Sequence, residues 1–257
     1  MKEKRIVILG GKGLSTNIVY NSINMNYNVC LAIIEDKEPL KRFILRRIKK
    51  LGLIKVSGQL LFQALIVKIL QNKSRTRKAE IIKDNNLDIS DIPDEKKKLV
   101  KSVNTAETIK LLQSLDPDLI IVNGTRIISQ KVLSSVKCPF INTHAGITPK
   151  YRGVHGTYWA LYNNDAENSG VTVHLVDKGI DTGNIIFQKH VVPGEKDNFS
   201  TYPLLQLAEG LKILNEAVMA FMKHELQTQK VKLTESILWY HPTIWQYLYG
   251  RIVKGIK

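Results

Sequence analysis

Short apolar runs alternate with amphipathic stretches along the first 145 positions of the chain. Arg5–Leu9 (RIVIL) is apolar on both faces, and Gly10-Gly11-Lys12-Gly13 turns out of it. Leu14–Met25 follows with helical spacing, and Asn28–Ile34 (NVCLAII) is a second run apolar on both faces. Strands buried on both faces and separated by helices imply a parallel sheet covered by helices. The alternation continues with a helix over Ala106–Leu115, broken by Asp116-Pro117, and a strand over Asp118–Val122. A helix over Ser129–Val136 follows, with Ser129 as its N-cap, and then a strand over Pro139–Thr143. The fold class is expected to be α/β, with ligands at the C-terminal edge of the sheet.

Beyond residue 145 the pattern changes. Gly170–Val176 (GVTVHLV) alternates apolar and polar positions, and Asn184–Val192 does so in part, which predicts a strand pair joined across Asp177–Gly183. Phe199–Lys223 reads as a long amphipathic helix covering the sheet. Two segments fall outside this scheme. Leu40–Leu70 holds KRFILRRIKKLG and then LLFQALIVKIL, interrupted by Lys55, Gln59, Gln63 and Lys68. Those polar positions argue against a spanning helix. A helical insertion packed on the domain is preferred to a helix lying on a membrane surface. Ile237–Lys257 carries Trp239, Tyr240, Trp245, Tyr247 and Tyr249 among Arg251, Lys254 and Lys257. Core packing, a homodimer contact or stacking on a base would each use such a tail, and the sequence does not choose. The expected division is a catalytic domain over 1–224, with a basic helical insertion at 37–78, and a C-terminal extension over 225–257.

At 257 residues, 44% hydrophobic and 24% charged, the chain can bury a full core and has an ordinary globular composition. Its net charge of +15 is local: residues 37–78 hold thirteen Lys or Arg against one acid, Glu38, a net +12, and the other 215 residues carry +3. A basic segment of this kind meets phosphates, nucleic acid or an anionic membrane, or is simply a solvated helical face. Cys30 and Cys138 make neither a disulfide framework nor a zinc-ligand spacing, so a cytoplasmic protein with no metal is expected. The apolar run before Gly10 is too short for a signal-peptide core.

Two places carry candidate chemistry. Gly11-x-Gly13-x-x-Thr16 partly matches the dinucleotide fingerprint, with Glu35 and Asp36 where a ribose-binding acid would stand. The same turn could cradle one phosphate at a helix N-terminus, or bind nothing. Further on, Asn142 and His144 alternate at a strand end and can point to one side, and Asp181 stands between Gly179 and Gly183, where the backbone can aim a carboxylate. An amide donor, an imidazole and a carboxylate around one cleft suit acyl-type transfer through an oxyanion.

Asn142-x-His144, the turn Pro149-x-x-x-Gly153 and Asp177-x-Gly179-x-Asp181-x-Gly183 resemble the signature of the 10-formyltetrahydrofolate-dependent formyltransferases. That family includes phosphoribosylglycinamide, methionyl-tRNA and sugar N-formyltransferases. The resemblance covers about 100–192, with Asp116–Ile120 and Asn123–Ile128 as further blocks. It is weaker at the N-terminal strand and absent over 37–78 and the tail. It implies a Rossmann-like sheet and 10-formyltetrahydrofolate as co-substrate. It also implies an amine acceptor, with Asn142, His144 and Asp181 as catalytic residues. Thr125, Arg126, Ile127, Ile128, Val176, Asp177, Gly179 and Ile180 become the folate-pocket candidates, although Ile127 and Ile128 also read as core. Gly11, Lys12, Gly13, Lys150, Tyr151 and Arg152 are the acceptor-side candidates.

After residue 200 only a helix and an aromatic tail are expected, where methionyl-tRNA formyltransferases carry a tRNA-binding barrel; this disfavours a nucleic-acid acceptor, although the basic segment keeps a methionyl-tRNA formyltransferase-like reading open. A nucleotide-linked amino sugar, with a base to stack and two phosphates to neutralise, is the favoured acceptor. Phosphoribosylglycinamide formylation is the alternative. A nucleotide-binding oxidoreductase would rest on Gly11, Gly13 and Glu35 and would leave the Asn–His–Asp trio unexplained.

Overall fold

A computed structural model describes residues 4–230, 232 and 235–257. Residues 1–3 of the N-terminal segment, and 231, 233 and 234 of the C-terminal extension, lie outside the described residues.

The elements run β1 (Ile6–Gly11), α1 (Leu14–Asn24), β2 (Val29–Glu35), α2 (Leu40–Leu51), α3 (Leu53–Leu61), a π-helical turn over Phe62–Val67, α4 (Lys68–Lys73) and α5 (Arg75–Asp84). Then come β3 (Lys97–Val100), α6 (Ala106–Leu115), β4 (Leu119–Asn123), α7 (Gln130–Leu133), β5 (Phe140–His144), β6 (Arg152–Gly153), α8 (Gly156–Tyr162) and β7 (Gly170–Leu175). The chain finishes with β8 (Ile185–His190), α9 (Tyr202–Met222), β9 (Leu238–Trp239) and α10 (Ile244–Val253).

The main sheet has the strand order β3-β2-β1-β4-β5-β7-β8. The first five strands are parallel, and β7 and β8 run antiparallel to their neighbours. This is the mostly parallel α/β sheet that the apolar runs require, because β1 and β4 are buried on both faces. One face packs against α1 and α9, with Ile18, Ile23, Leu211 and Leu214 in its core. The opposite face packs on α6 and α7 through Leu112 and Val132.

One local expectation needs correction. The helix expected over Ser129–Val136 is only Gln130–Leu133, and the Ser129 side chain makes no capping bond. Ser134 and Ser135 turn their hydroxyls back onto the carbonyls of Gln130 and Val132, a competition that disfavours helix extension. Strand β3 and the small β6–β9 ladder were not foreseen. Glu35 holds no ribose: its buried carboxylate accepts from the N–H groups of Val103 and Arg126 and from the Ser102 hydroxyl.

The basic insertion is helical throughout, but it is packed unevenly. α5 is pinned by Arg77, whose guanidinium pairs at 2.9 Å with the buried Asp197 ahead of α9. Phe62 is fully buried among Tyr158, Phe199 and Tyr247. By contrast, α2 has no buried residue at all. The aromatic tail closes the same cluster. Tyr247 is buried in it, Trp239 stacks on Trp159 at 4.6 Å, and Trp159 donates its indole N–H to the Tyr240 carbonyl.

Candidate active site

β5 carries Asn142 and His144 to the C-terminal edge of the sheet, between the ends of β4 and the antiparallel β7. The loop from β7 to β8 brings Asp181 back over them. Inside that loop Asp177 accepts the Gly179 N–H at 3.0 Å and the Thr182 hydroxyl at 2.7 Å, while Arg152 donates to the Ile180 carbonyl at 3.0 Å. Gly183 passes so close to the Leu175 carbonyl that an added Cβ would fall 1.7 Å from it, so only glycine fits. Asp181 itself has φ +52°, a left-handed conformation that the surrounding loop must hold in place.

The three residues converge. Asp181 Oδ2 lies 3.3 Å from His144 Nδ1 and accepts the Gly153 N–H at 3.0 Å. His144 Nε2–H donates to the Tyr151 carbonyl at 2.8 Å, which fixes the neutral tautomer and leaves Nδ1 facing the carboxylate. A fourth group was missed from the sequence. His174 Nδ1–H donates to the Leu175 carbonyl at 2.7 Å, so its Nε2 accepts from the Asn142 amide at 3.1 Å, and that nitrogen lies 3.7 Å from Asp181 Oδ1. His174 is the direct cross-strand partner of Asn142. The apolar/polar alternation of β7 was legible, but not the register that makes this pair.

Burial alone would push the Asp181 carboxyl up. The two imidazoles and the Gly153 N–H outweigh that and hold it at about 2. His144 is shifted down from the ordinary imidazole value because burial outweighs the pull of Asp181 and the Tyr151 carbonyl. At neutral pH the pair is therefore a carboxylate beside an uncharged ring, with a vacant proton position between them.

A cavity of about 850 Å³ opens on Asn142, His144 and Asp181. Thr125, Arg126, Ile127 and Ile128 line it from the β4 side, and Val176, Asp177, Gly179 and Ile180 from the β7–β8 loop. Ile128 is also buried in the core, whereas Ile127 is half-exposed.

The acceptor-side candidates fare differently. Gly11, Lys12, Gly13, Lys150, Tyr151 and Arg152 do not line this cavity, although Ser15, Gly153 and Val154 beside them do. Lys150 pairs with Asp165 at 2.8 Å, and Tyr151 is buried with its hydroxyl on the same carboxylate at 2.7 Å. Tyr151 and Arg152 instead orient the site, one through its carbonyl on His144 and the other through the Ile180 carbonyl. The far wall comes from the regions that the motif reading left out: Phe43, Arg46, Arg47 and Lys50 of α2, with Trp239 and Tyr240. The Arg47 guanidinium lies over Phe43 and Tyr240, and Lys50 lies 5.4 Å from the Tyr240 ring.

A sequence model of the family described as formyl transferase matches residues 53–218, well over half of the chain. The chain belongs to the formyl transferase family. The match begins at Leu53, inside the stretch where the sequence motifs showed no resemblance, so α3 to α5 lie within the family's range and α2 outside it. A methionyl-tRNA formyltransferase of Caldanaerobacter subterraneus is 31% identical over 134 residues, 52% of this chain and 43% of that protein. The chain thus spans less than half the length of that curated relative.

The fold recurs in phosphoribosylglycinamide formyltransferase of Anaplasma phagocytophilum, at TM-score 0.58 and 18% identity, covering 92% of this chain and 98% of that one. It recurs also in an N-formyltransferase of Helicobacter canadensis solved with folinic acid and dTDP-3-aminofucose, at TM-score 0.54 and 17% identity, covering 91% and 70%. Like these family structures, the chain has a Rossmann-like, mostly parallel sheet covered by helices. Among the described residues no group of His, Cys, Asp or Glu is placed to hold a metal ion.

Proposed function

We propose that this family member moves a formyl group from 10-formyltetrahydrofolate to the primary amine of a nucleotide-linked amino sugar. The observation that carries the reading is a single cavity with two unlike walls. On one side lie the Asn–His–Asp cluster and a folate-sized recess; on the other lie Arg46, Arg47, Lys50 and Tyr240. The recess suits a pterin, because Val122, Ile128, Val176 and Ile180 give it apolar flanks and the turns at 124–128 and 176–180 offer backbone groups. Among the described residues, Arg47 and Lys50 have no carboxylate within 4 Å, so their charge is available to an anion such as a diphosphate.

10-Formyltetrahydrofolate supplies the formyl carbon. Asn142 gives one amide hydrogen to His174 and, among the described residues, has the second free for the carbonyl oxygen as it becomes negative. The proton leaving the attacking amine passes to the position between His144 Nδ1 and Asp181, where the imidazolium so formed faces a carboxylate, and from there it would go to the folate nitrogen as the bond from that nitrogen to the formyl carbon breaks and tetrahydrofolate leaves. Tyr151 holds the other ring nitrogen and prevents the ring from turning away.

The test offers the full chain 10-formyltetrahydrofolate with a panel of amines: nucleotide-linked amino sugars, glycinamide ribonucleotide and methionyl-tRNA. Release of tetrahydrofolate only with an amino-sugar nucleotide supports the proposal. Turnover only with methionyl-tRNA would transfer the reaction to the acceptor of the sequence relatives, and no turnover with any amine removes it.

A further inference from the structure

α3, the π-helical turn and α4 form one helical segment, Leu53–Lys73, which is 21 residues long and apolar enough by composition to cross a bilayer. It does not stand free. Val56, Gln59 and Phe62 pack it on the protein, and Gln59 donates to the His241 carbonyl at 2.7 Å. The unusual face is the opposite one. Leu53, Ile54, Leu60, Leu61, Leu65 and Ile69 are between 38% and 79% exposed, and Leu61, Leu65 and Ile69 repeat at four-residue spacing along the helix.

α10 does the same. Trp245, Leu248, Tyr249, Ile252 and Val253 follow the i, i+3, i+4, i+7, i+8 spacing of a helix stripe, and they are 41–77% exposed. The two helices meet. A Cβ on Gly58 would fall 2.2 Å from the Trp245 indole, so α10 lies directly against α3 there. Two adjacent helices thus each turn a row of leucines, isoleucines or aromatics to water, which soluble proteins seldom do without a partner.

Charge decides the partner. The α3–α4 half of the patch lies in the +12 segment, and α2, which packs beside α3, holds six Lys or Arg and no acid in twelve residues, none of them buried. A second copy would set this charge against its own image. Nucleic acid would use the cations and leave the leucines wet. The core of a protein interface is depleted in lysine. Long aliphatic side chains, tryptophan and tyrosine bordered by lysine and arginine are instead what an in-plane helix presents to headgroups and acyl chains.

We propose that this face docks on an anionic lipid bilayer, with the exposed stripes of α3–α4 and α10 in the acyl boundary and Lys41, Arg42 and Lys49 of α2, which do not line the cavity, among the headgroups. The surface is separate from the catalytic trio and does not depend on which amine is formylated.

Vesicle co-sedimentation of the full chain tests it, with phosphatidylcholine alone and with phosphatidylcholine–phosphatidylglycerol in equal parts. The chain should pellet with the anionic vesicles at least about tenfold more than with the zwitterionic ones, more weakly at high salt. Trp245 emission should shift to the blue. Leu61→Glu/Leu65→Glu, and separately Leu248→Glu/Ile252→Glu, should each cut binding at least about tenfold at unchanged melting temperature and turnover. These residues are exposed and lie outside the catalytic cavity. The proposal is overturned by absence of vesicle binding, or by salt-sensitive binding that both leucine variants retain. It is equally overturned by self-association in sedimentation velocity that the Leu61→Glu/Leu65→Glu variant abolishes, or by RNA binding in place of vesicle binding.

Discussion

Around Asp181 a carboxylate, two imidazoles and an amide are enclosed at one sheet edge, and each has a partner: Gly153 N–H, the Tyr151 and Leu175 carbonyls, and one another. Around Leu61 the arrangement is inverted: leucines and isoleucines lie in water, and among the described residues only Arg46 of the neighbouring α2 pairs with a carboxylate, that of Glu38. The first region spends burial on groups that resist it, which is the mark of a site shaped for chemistry. The second leaves exposed what would gain most from burial, which is the mark of a surface awaiting a partner. Arg47 belongs to both, reaching from α2 into the catalytic cavity.

The contrast is sharpest under substitution at the sheet edge. Asn142→Ala, His144→Ala and Asp181→Asn are each expected to lower turnover about 10²- to 10⁴-fold, the range for losing an oxyanion donor or a proton-handling group. Steady-state tetrahydrofolate release checks this, alongside circular dichroism melts that should show a folded protein. Near-normal rates in all three would remove the site.

Phe62→Ala asks whether the helical insertion is an appendage or part of the core. Phe62 is 0% exposed and sits edge-on to Phe199 at 4.8 Å. Its truncation should cost about 3–5 kcal/mol of stability, measured by urea unfolding. A loss below about 1 kcal/mol would mean that the insertion folds apart from the sheet. Arg47→Ala probes the residue the two regions share. It should raise the acceptor KM about tenfold with little change in kcat, as expected for a contact made equally in ground and transition states. A drop in kcat at unchanged KM would relocate Arg47 to the chemical step.

The sheet edge was legible because its signals are local. Apolar runs gave β1, β2 and β4. Ala106–Leu115 begins after Thr105, whose hydroxyl accepts the Thr108 N–H. Asn142, His144 and Asp181 stand in short motifs that a strand end and a glycine-bounded loop bring together. What escaped notice depends on distant packing. β3 is an edge strand, KKLV, whose middle residues face water, so no apolar run announces it. His174 needs the β5–β7 register, and the α2 and Tyr240 wall needs the tail to fold back across the insertion. Glu35 could be read two ways from the sequence: an acid at the end of β2 suits ribose binding, but here it clamps three backbone and side-chain donors of its own chain.

The smallest effect lies at the seam between insertion and tail. His155 Nε2 and His241 Nδ1 are 2.8 Å apart, and Gln63 donates to His241 Nδ1 at 3.1 Å. Burial, with the Arg47 cation nearby, pushes His241 down to about 4. Burial, His241 and Arg47 push His155 well below its ordinary value. Both rings are thus uncharged in the folded chain, while the unfolded chain protonates them near 6.5. Since the unfolded state then binds more protons, stability must fall as pH drops below about 6.5, and the His241 contribution to that fall levels off near 4. From pH 7.5 to pH 6 the share of His241 alone is on the order of 1 kcal/mol. Urea unfolding across that range should show the slope, and His241→Asn, which removes the titrating ring, should flatten it. An unchanged slope in that variant would place the acid sensitivity at the sheet edge instead, where the similarly buried His144 would have to supply it.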